Sequence, residues 1–151
     1  MSRTYFITAI TAQRRPILHS DKLAHLLIDV LMNCRERGIL VPEFVVMPEH
    51  FHALITTDMT IERVTQLIKG GFSFRAKRDG GFSGEVWQAG YHDRRVRDNK
   101  ESEAMRRYIH ENPVRRGLIS QARDWPWSSA SGSFPLDGSP QGLKPRLILA
   151  P

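Results

Sequence analysis

Two short motifs in this chain combine side chains that are suited to metal-assisted chemistry. His50-Phe51-His52 follows an apolar run, Phe44 to Met47, after the two residues Pro48 and Glu49, and offers two imidazole ligands. Further along, a Tyr-x-x-x-Asn-Pro element, Tyr108 to Pro113, lies in a basic stretch and offers a phenol and an amide oxygen. Such ligands suit a divalent ion, and a phenol can attack a phosphoryl centre to form a covalent intermediate. The inventory fits the cleavage of a phosphodiester.

The histidine pair has the spacing of two ligands on one strand. Residues two apart on a strand point to the same face, so His50 and His52 would converge on one ion while Phe51 turns into the core. The alternative is that both histidines simply lie on a solvated face. The His-x-His motif alone does not decide between the two.

Tyr108 and Asn112 are four residues apart on a predicted helix, so they share one face about one turn apart. If that face looks across at the histidines, the Asn112 side-chain oxygen completes the protein ligands and the Tyr108 hydroxyl reaches a metal-bound phosphate. The alternative makes Tyr108 a tyrosine at the edge of the core and Asn112 a C-terminal cap before Pro113. The joint occurrence of both motifs favours the site.

Strands and helices alternate in the elements that would position these residues. The predicted strands are Tyr5 to Thr11, Ile39 to Met47, Phe51 to Thr57 and Glu85 to Val96. The predicted helices are Ser20 to Arg37, a segment from Thr60 to the Asp79-Gly80-Gly81 break, and a segment from Asp98-Asn99 to Asn112, where Pro113 enforces the stop. The order β-α-β-β-α-β-α predicts an α+β, ferredoxin-like split βαβ fold, an antiparallel sheet with helices on one face.

Composition limits the remaining possibilities. The 151 residues fit one domain, predicted to span residues 1–130, with residues 131–151 as an extended or flexible tail rich in Ser, Gly and Pro. Lys and Arg number 22 against 16 acidic residues, a net charge of +6, which favours a polyanionic partner. Cys34 is the only cysteine, so no internal disulfide can form, and no apolar run approaches the ~20 residues that span a bilayer.

Several further motifs occur in a specific order between Tyr5 and Ser129. They are Met47 to His52, Trp87-Gln88, Tyr91 to Asp93, Val96-Arg97, Tyr108 to Val114, Gly117-Leu118 and Trp125 to Ser129. With these motifs the chain resembles the single-tyrosine HUH transposases, specifically their REP-associated tyrosine transposase branch. One departure is Glu49, where the family more often has Asn or Asp; a longer acid there would reach the metal or face solvent.

The resemblance implies cleavage and rejoining of single-stranded DNA, without ATP, at hairpins formed by palindromic repeats. Tyr108 would attack the scissile phosphate and leave a 5′-phosphotyrosyl enzyme with a free 3′-hydroxyl. His50, His52 and Asn112 would hold Mg²⁺ or Mn²⁺, although the same donors also accept Zn²⁺ or Ni²⁺. Glu49 and Asp93 are candidates for orienting a ligand from the next layer.

Basic residues on and around the third predicted helix, together with Lys69 on the second, are candidates for contacts with DNA phosphates. They are Lys69, Arg94, Arg95, Arg97, Arg106, Arg107, Arg115 and Arg116. For individual members the alternative is that they only solvate the helix. Trp87, Trp125 and Trp127 could stack on unpaired bases, but packing in the core is favoured for tryptophans in so small a domain.

Two other functions remain open from the sequence. The first is a catalytically inactive, domesticated DNA-binding module of the same fold, against which the intact ligands and nucleophile argue. The second is a zinc-dependent small-molecule enzyme, for which the chain offers no secure third His or carboxylate ligand. A monomer is favoured over a helix-swapped dimer, and the expected location is the bacterial cytoplasm, in association with the nucleoid.

Overall fold

The computed structural model describes residues 2–138, and its elements follow the order predicted from the sequence. They are β1 (Arg3–Ile10), α1 (Asp21–Asn33), β2 (Leu40–Met47), β3 (His50–Thr57), α2 (Ile61–Arg78), β4 (His92–Val96) and α3 (Asn99–Arg115). Within the described range, no helix is both long enough and apolar enough to cross a membrane.

The four strands form one sheet in the order β2-β3-β1-β4, and all neighbours are antiparallel. The central strand β1 places Ile7 opposite Ala53 of β3 on one side and opposite Asp93 of β4 on the other. This arrangement confirms the predicted α+β, ferredoxin-like fold. It also puts β3, which carries the histidine pair, inside the sheet rather than at its edge.

Helices α1 and α2 cover one face of the sheet because each presents an apolar stripe at helical spacing. The α1 stripe includes Leu27 and Leu31, and the α2 stripe includes Ile68 and Phe72, all at most 1% exposed. They pack on strand side chains that include Phe51, in one continuous core. Burial of these side chains supplies most of the stability of the domain.

Helix α3 lies on the opposite face, which corrects the prediction that all helices share one face. Its Ile109 is fully buried in a second, smaller cluster with Val45, Met47 and Leu54, and Phe6 packs beside them. These strand residues alternate with those that face α1 and α2, as the two-residue period of a strand requires. The sheet is therefore covered on both sides.

The end of α3 also differs from the prediction, because the helix continues through Pro113 to Arg115. Proline removes only its own N–H donor, and here the helix tolerates that loss. The actual end is a Schellman motif: the N–H of Leu118 donates to the carbonyl of Pro113, and the N–H of Gly117 donates to that of Val114. Gly117 has φ 72°, a conformation that favours glycine.

Two further elements, β4 and α1, are shorter than predicted. The strand expected from Glu85 begins only at His92, so His92 and Asp93 are the first residues of β4. Before it, the chain makes only an isolated bridge between Trp87 and Thr11. Helix α1 ends at Asn33, and a 3-10 turn over Cys34–Arg37 fills the rest of the predicted helix.

The C-terminal part of the described chain runs along the edge strand β2. The backbone N–H groups of Val46, Phe44 and Val41 donate to Trp127 O (2.8 Å), Ser129 Oγ (3.1 Å) and Asp137 Oδ2 (2.9 Å), respectively. Residues 131–138 lack strands and α-helices, as expected of a tail, yet they dock on the domain. This contact covers a sheet edge that would otherwise expose unpaired donors. The rest of the predicted tail, residues 139–151, lies outside the described residues.

Two glycines should respond in opposite ways to alanine substitution. A Cβ on Gly70, exposed within α2, meets nothing within 4 Å, so Gly70→Ala should stabilise the fold by about 0.5–1 kcal/mol. A Cβ on Gly80 would lie 2.7 Å from Ala76 O and from Leu23 Cδ2, so Gly80→Ala should destabilise by about 1–3 kcal/mol. Urea unfolding measures both, and equal stabilities for the two variants would contradict this packing.

Candidate active site

The imidazoles of His50 and His52 converge on the face of the sheet beneath α3. Their Nε2 atoms are 3.1 Å apart. The other ring nitrogens are engaged: His50 Nδ1 lies 3.1 Å from Glu49 Oε1, and His52 Nδ1 lies 2.7 Å from Thr8 Oγ1. With the proton on each Nδ1, both Nε2 lone pairs are directed to the same region.

Both histidines are buried, 6% exposed each, and burial decides their charge. The pKa of His52 is lowered to about 3, mainly by burial and to a smaller extent by the nearby charges of His50 and Arg116. Burial also lowers the pKa of His50, although the Glu49 carboxylate opposes the shift. Both rings are therefore neutral at neutral pH, which is the state that binds metal ions.

The side chain of Asn112 is the unusual polar group of this site. Asn112 is 6% exposed, and its Oδ1 has no hydrogen-bond partner among the described residues. Leaving a buried acceptor unsatisfied costs about 1–3 kcal/mol, and a role in binding an ion is one of the explanations for such an atom. Asn112 lies between Tyr108 and Arg116 on one face of α3, and these two residues contact His52 and Glu49. From that position its amide oxygen would join the two imidazoles in a donor set that a divalent ion accepts.

The spacing of the imidazoles is compatible with such an ion. Two ligand atoms about 2.1 Å from an ion at right angles are about 3.0 Å apart, close to the 3.1 Å between the Nε2 atoms. Within residues 2–138, no group of three or more His, Cys, Asp or Glu side chains could hold a metal. A third protein ligand here would therefore be another kind of donor, and the amide oxygen of Asn112 is the candidate predicted from the sequence.

Tyr108 approaches the histidine pair from α3 of the same chain. Its ring centroid lies 5.4 Å from that of His52 and 5.9 Å from that of Phe6, both in edge-to-face geometry. The Arg115 guanidinium lies 5.4 Å from the centroid of the Tyr108 ring, which is a cation-π distance. The phenol and the imidazoles thus share one site. Beside Tyr108 a groove of about 340 Å³ opens between α3, β1 and β4.

Glu49 connects the histidine motif to the end of α3. Its Oε1 accepts a hydrogen bond of 2.6 Å from Arg116 Nη2 and contacts His50 Nδ1. Burial by itself raises the pKa of Glu49, but the Arg116 hydrogen bond and the charge of His50 lower it overall. The carboxylate is therefore buried and does not face solvent, and it contacts both the predicted ligand His50 and the end of α3.

Asp93 borders the groove beside Tyr108, which His52 also lines, but its position on β4 turns its side chain to the other face of the sheet. Asp93 pairs with Ile7, whose side chain belongs to the core under α1 and α2. Its neighbours His92 and Arg94 pair with Thr8 and Phe6, on the α3 face. By strand alternation, the Asp93 side chain lies on the face opposite His52.

The predicted phosphate-binding residues separate into two groups. Arg94 lines the groove, and Arg115 and Arg116 contact Tyr108 and Glu49, so these three lie at the site. Lys69 Nζ instead donates to the carbonyls of Gln88 and Gly90 and braces the segment before β4. Others lie apart from the groove: Arg106 pairs with Glu43, Arg95 shares the face of Tyr5, and Arg97 and Arg107 are exposed.

A cluster around Glu43 was not predicted from the sequence. The Glu43 carboxylate accepts hydrogen bonds from Arg106 Nε (3.0 Å), His110 Nε2 (2.7 Å) and Ser129 Oγ. Burial raises the pKa of Glu43, but the His110 and Ser129 hydrogen bonds outweigh it and lower the pKa. His110 and Ser129 lie 67 and 86 residues away in sequence, so no local pattern marks this cluster.

The tryptophans pack within the domain, as favoured from the sequence. Trp87 is 8% exposed and donates from Nε1 to the carbonyl of Lys69. Trp125 donates from Nε1 to the carbonyl of Val46, and Trp127 packs edge-to-face on His25. These contacts hold the loops that carry the tryptophans against the domain.

Comparison with known proteins identifies the family. Residues 2–112 match the family model described as "Transposase IS200 like". The chain belongs to this transposase family. The REP-associated tyrosine transposase of Escherichia coli (strain K12) is 28% identical over 142 residues, which cover 89% of this chain and 83% of the relative. The predicted resemblance to this branch is confirmed, and the protein is a transposase.

Solved structures agree with this assignment. A REP-associated tyrosine transposase bound to a REP hairpin superposes with a TM-score of 0.69 at 28% identity, covering 91% of this chain and 85% of that chain. A candidate transposase from Deinococcus radiodurans, 22% identical, gives a TM-score of 0.53 over 74% of this chain and 91% of that chain. The second match supports the fold alone.

Glu43 should stabilise the attachment of α3 and the C-terminal segment. Glu43→Gln removes the charge that Arg106 and His110 face and should lower the free energy of unfolding by about 2–4 kcal/mol. The matched control is Glu103→Gln, which also faces Arg106 but is 63% exposed and should change stability by less than about 0.5 kcal/mol. Chemical denaturation measures both, and similar values would show that Glu43 does not hold the helix.

Proposed function

We propose that this transposase cleaves and rejoins single-stranded DNA by transesterification at Tyr108, next to a divalent ion held by His50, His52 and Asn112. The observation that carries the proposal is the 5.4 Å approach of the Tyr108 ring to His52 within one chain. The buried, unpartnered Asn112 oxygen supports the metal part of it.

The chemical step exchanges one phosphodiester for another. The Tyr108 hydroxyl oxygen attacks the scissile phosphorus and loses its proton, while the bond from phosphorus to the DNA 3′-oxygen breaks. The leaving 3′-oxygen takes up a proton, which gives a free 3′-hydroxyl and a 5′-phosphotyrosine. Attack by another 3′-hydroxyl on this phosphotyrosine rejoins strands. The count of phosphodiester bonds is conserved, so no ATP is needed.

The residues of this chain prepare the site for that exchange. A bound Mg²⁺ or Mn²⁺ would polarise the phosphate and stabilise the leaving oxygen. Glu49 and Thr8 orient the two imidazoles through their Nδ1 atoms, so both Nε2 atoms are free for the ion. Arg115 packs on the phenol ring and restricts its orientation.

We infer that the substrate is a DNA hairpin with a single-stranded flank that enters beside Tyr108. The REP-associated tyrosine transposase of known structure is bound to a REP hairpin. The net charge of +6 and the arginines at the site are complementary to phosphates. Each phosphate neutralised on a single strand would steepen the salt dependence of log K by about 0.7. We expect the protein to meet this DNA in the bacterial cytoplasm, at the nucleoid.

The same geometry favours action as a monomer. Tyr108 and the histidine pair meet within one polypeptide, so exchange of α3 with a partner is not required to build the site. The hydrogen bonds from Arg106 and His110 to Glu43 hold α3 on its own sheet.

Tyr108→Phe should abolish covalent attachment to DNA while leaving hairpin binding within about threefold, because only the nucleophilic oxygen is removed. A labelled hairpin oligonucleotide is incubated with the protein and Mn²⁺ and analysed on a denaturing gel. Tyr5→Phe, on the opposite face of the sheet, is the control and should form the adduct normally. An adduct with Tyr108→Phe would refute the role of the tyrosine, and tight binding without any adduct in the wild type would identify an inactive DNA-binding module.

Asn112→Ala should weaken Mn²⁺ binding about tenfold or more, because it removes one of three protein ligands. Electron paramagnetic resonance of free Mn²⁺ measures the affinity on the protein alone, independently of cleavage. Asn99→Ala, on the exposed first turn of α3, is the matched control and should bind Mn²⁺ as the wild type does. Unchanged affinity in Asn112→Ala would remove Asn112 from the ligand set.

A further inference from the structure

We propose that the groove beside Tyr108 binds an unpaired nucleobase of one of the two nucleotides that flank the scissile phosphate. This inference rests on the proposed function and specifies which part of the substrate is recognised there. The groove lies between α3 and the strands β1 and β4, next to the phenol that would attack the phosphate.

The size of the groove suits a single nucleotide. Its volume of about 340 Å³ is near the lower end of the roughly 300–1,000 Å³ typical of small-molecule sites. A DNA duplex is far wider than such a cleft, whereas one extruded base with its sugar fits it. The position limits the choice further, because a base held there belongs to a nucleotide next to the bond being cut.

The walls of the groove match the flat faces of a base. Phe6 projects from β1, and Met105 and Tyr108 project from α3, so two walls are aromatic or apolar. Aromatic side chains bind unpaired bases by stacking, with little dependence on base identity. The thioether of Met105 adds an adaptable apolar contact. Phe6 also stacks on His52 at a centroid distance of 5.1 Å, which connects this wall to the proposed metal site.

The rim on β4 supplies polar groups for the edge of a base and the adjoining phosphate. His92 and Arg94 pair with Thr8 and Phe6 and therefore lie on the groove side of the strand. Arg94 is exposed, and among residues 2–138 no carboxylate lies within ion-pair distance of its guanidinium. Its donors are free, and we assign them to the acceptor edge of the bound base, such as the O6 and N7 atoms of guanine.

The charge of this rim favours a nucleotide over an apolar peptide. Arg94 on the rim and Arg115 above the Tyr108 ring place two guanidinium groups near one small cleft. An anionic ligand with a flat apolar surface satisfies both the charge and the walls. A nucleotide has both properties in one unit.

Abasic oligonucleotides test this assignment directly. A labelled hairpin oligonucleotide is prepared intact and with a single abasic deoxyribose on either side of the mapped scissile phosphate. The rate of covalent adduct formation is measured in single-turnover reactions with Mn²⁺, and the affinity by fluorescence anisotropy. Removal of the base at one flanking position should slow adduct formation or weaken binding about tenfold.

Arg94→Ala and Arg3→Ala provide the variant and its matched control. Arg3 is exposed at the other end of β1, opposite Thr57. In Arg3→Ala, removal of the base should therefore reduce the rate or the affinity about tenfold, as in the wild type. In Arg94→Ala the base is already poorly held. Removal of the base should therefore reduce the rate of adduct formation or the affinity by less than about threefold. This loss of coupling is a result that a merely structural role of Arg94 would not produce.

The outcomes separate this inference from the proposed function. Equal rates and affinities for intact and abasic substrates, with the adduct still formed, would overturn the base-binding groove and leave the transesterase intact. Full sensitivity to the missing base in Arg94→Ala would also overturn it. No adduct from the intact oligonucleotide would overturn the proposed function and this inference together.

Discussion

The packing of α3 on the sheet is the interaction on which the site depends. Strand β3 contributes side chains to both faces of the sheet. Phe51 packs under α1 and α2, while His50 and His52 point to the other face. Without a cover, that face would leave the histidines in water, protonated over part of the physiological range. Helix α3 buries them, keeps them neutral and brings Tyr108 and Asn112 to the same place.

The attachment of this helix is polar as well as apolar. Ile109 anchors its middle in the small cluster, but two carboxylates of the sheet region hold its flanks. Glu43 accepts hydrogen bonds from Arg106 and His110, on either side of Ile109. Glu49 accepts one from Arg116, just beyond the end of the helix. Buried charge-assisted hydrogen bonds are directional. They therefore restrict the rotation of the helix about its axis and its position on the sheet more narrowly than apolar packing does. Tyr108 lies between these attachments, which suits a nucleophile that must be positioned.

The accuracy of the sequence interpretation depended on how local each signal was. Helices α1 and α2 were predicted well because their apolar stripes and their caps at Ser20 and Thr60 are local patterns. The prediction that α3 ends at Asn112 was wrong. A residue before proline is biased away from helical conformation, but here the hydrogen bonds at the helix end near Gly117 outweigh that bias. For Lys69 the sequence shows a charge but not the two backbone carbonyls to which its ammonium group donates, because these depend on the packing of distant segments.

The sequence by itself determined the order of elements, the alternation that sends His50 and His52 to one face, and the helical spacing of Tyr108 and Asn112. These properties follow from the periods of strands and helices, which are local. Only the tertiary structure decided which face α3 covers, that Glu43 and Glu49 hold it there, and that the Asn112 oxygen is buried without a partner. Those properties depend on contacts between residues far apart in the chain, and no short-range pattern encodes such contacts.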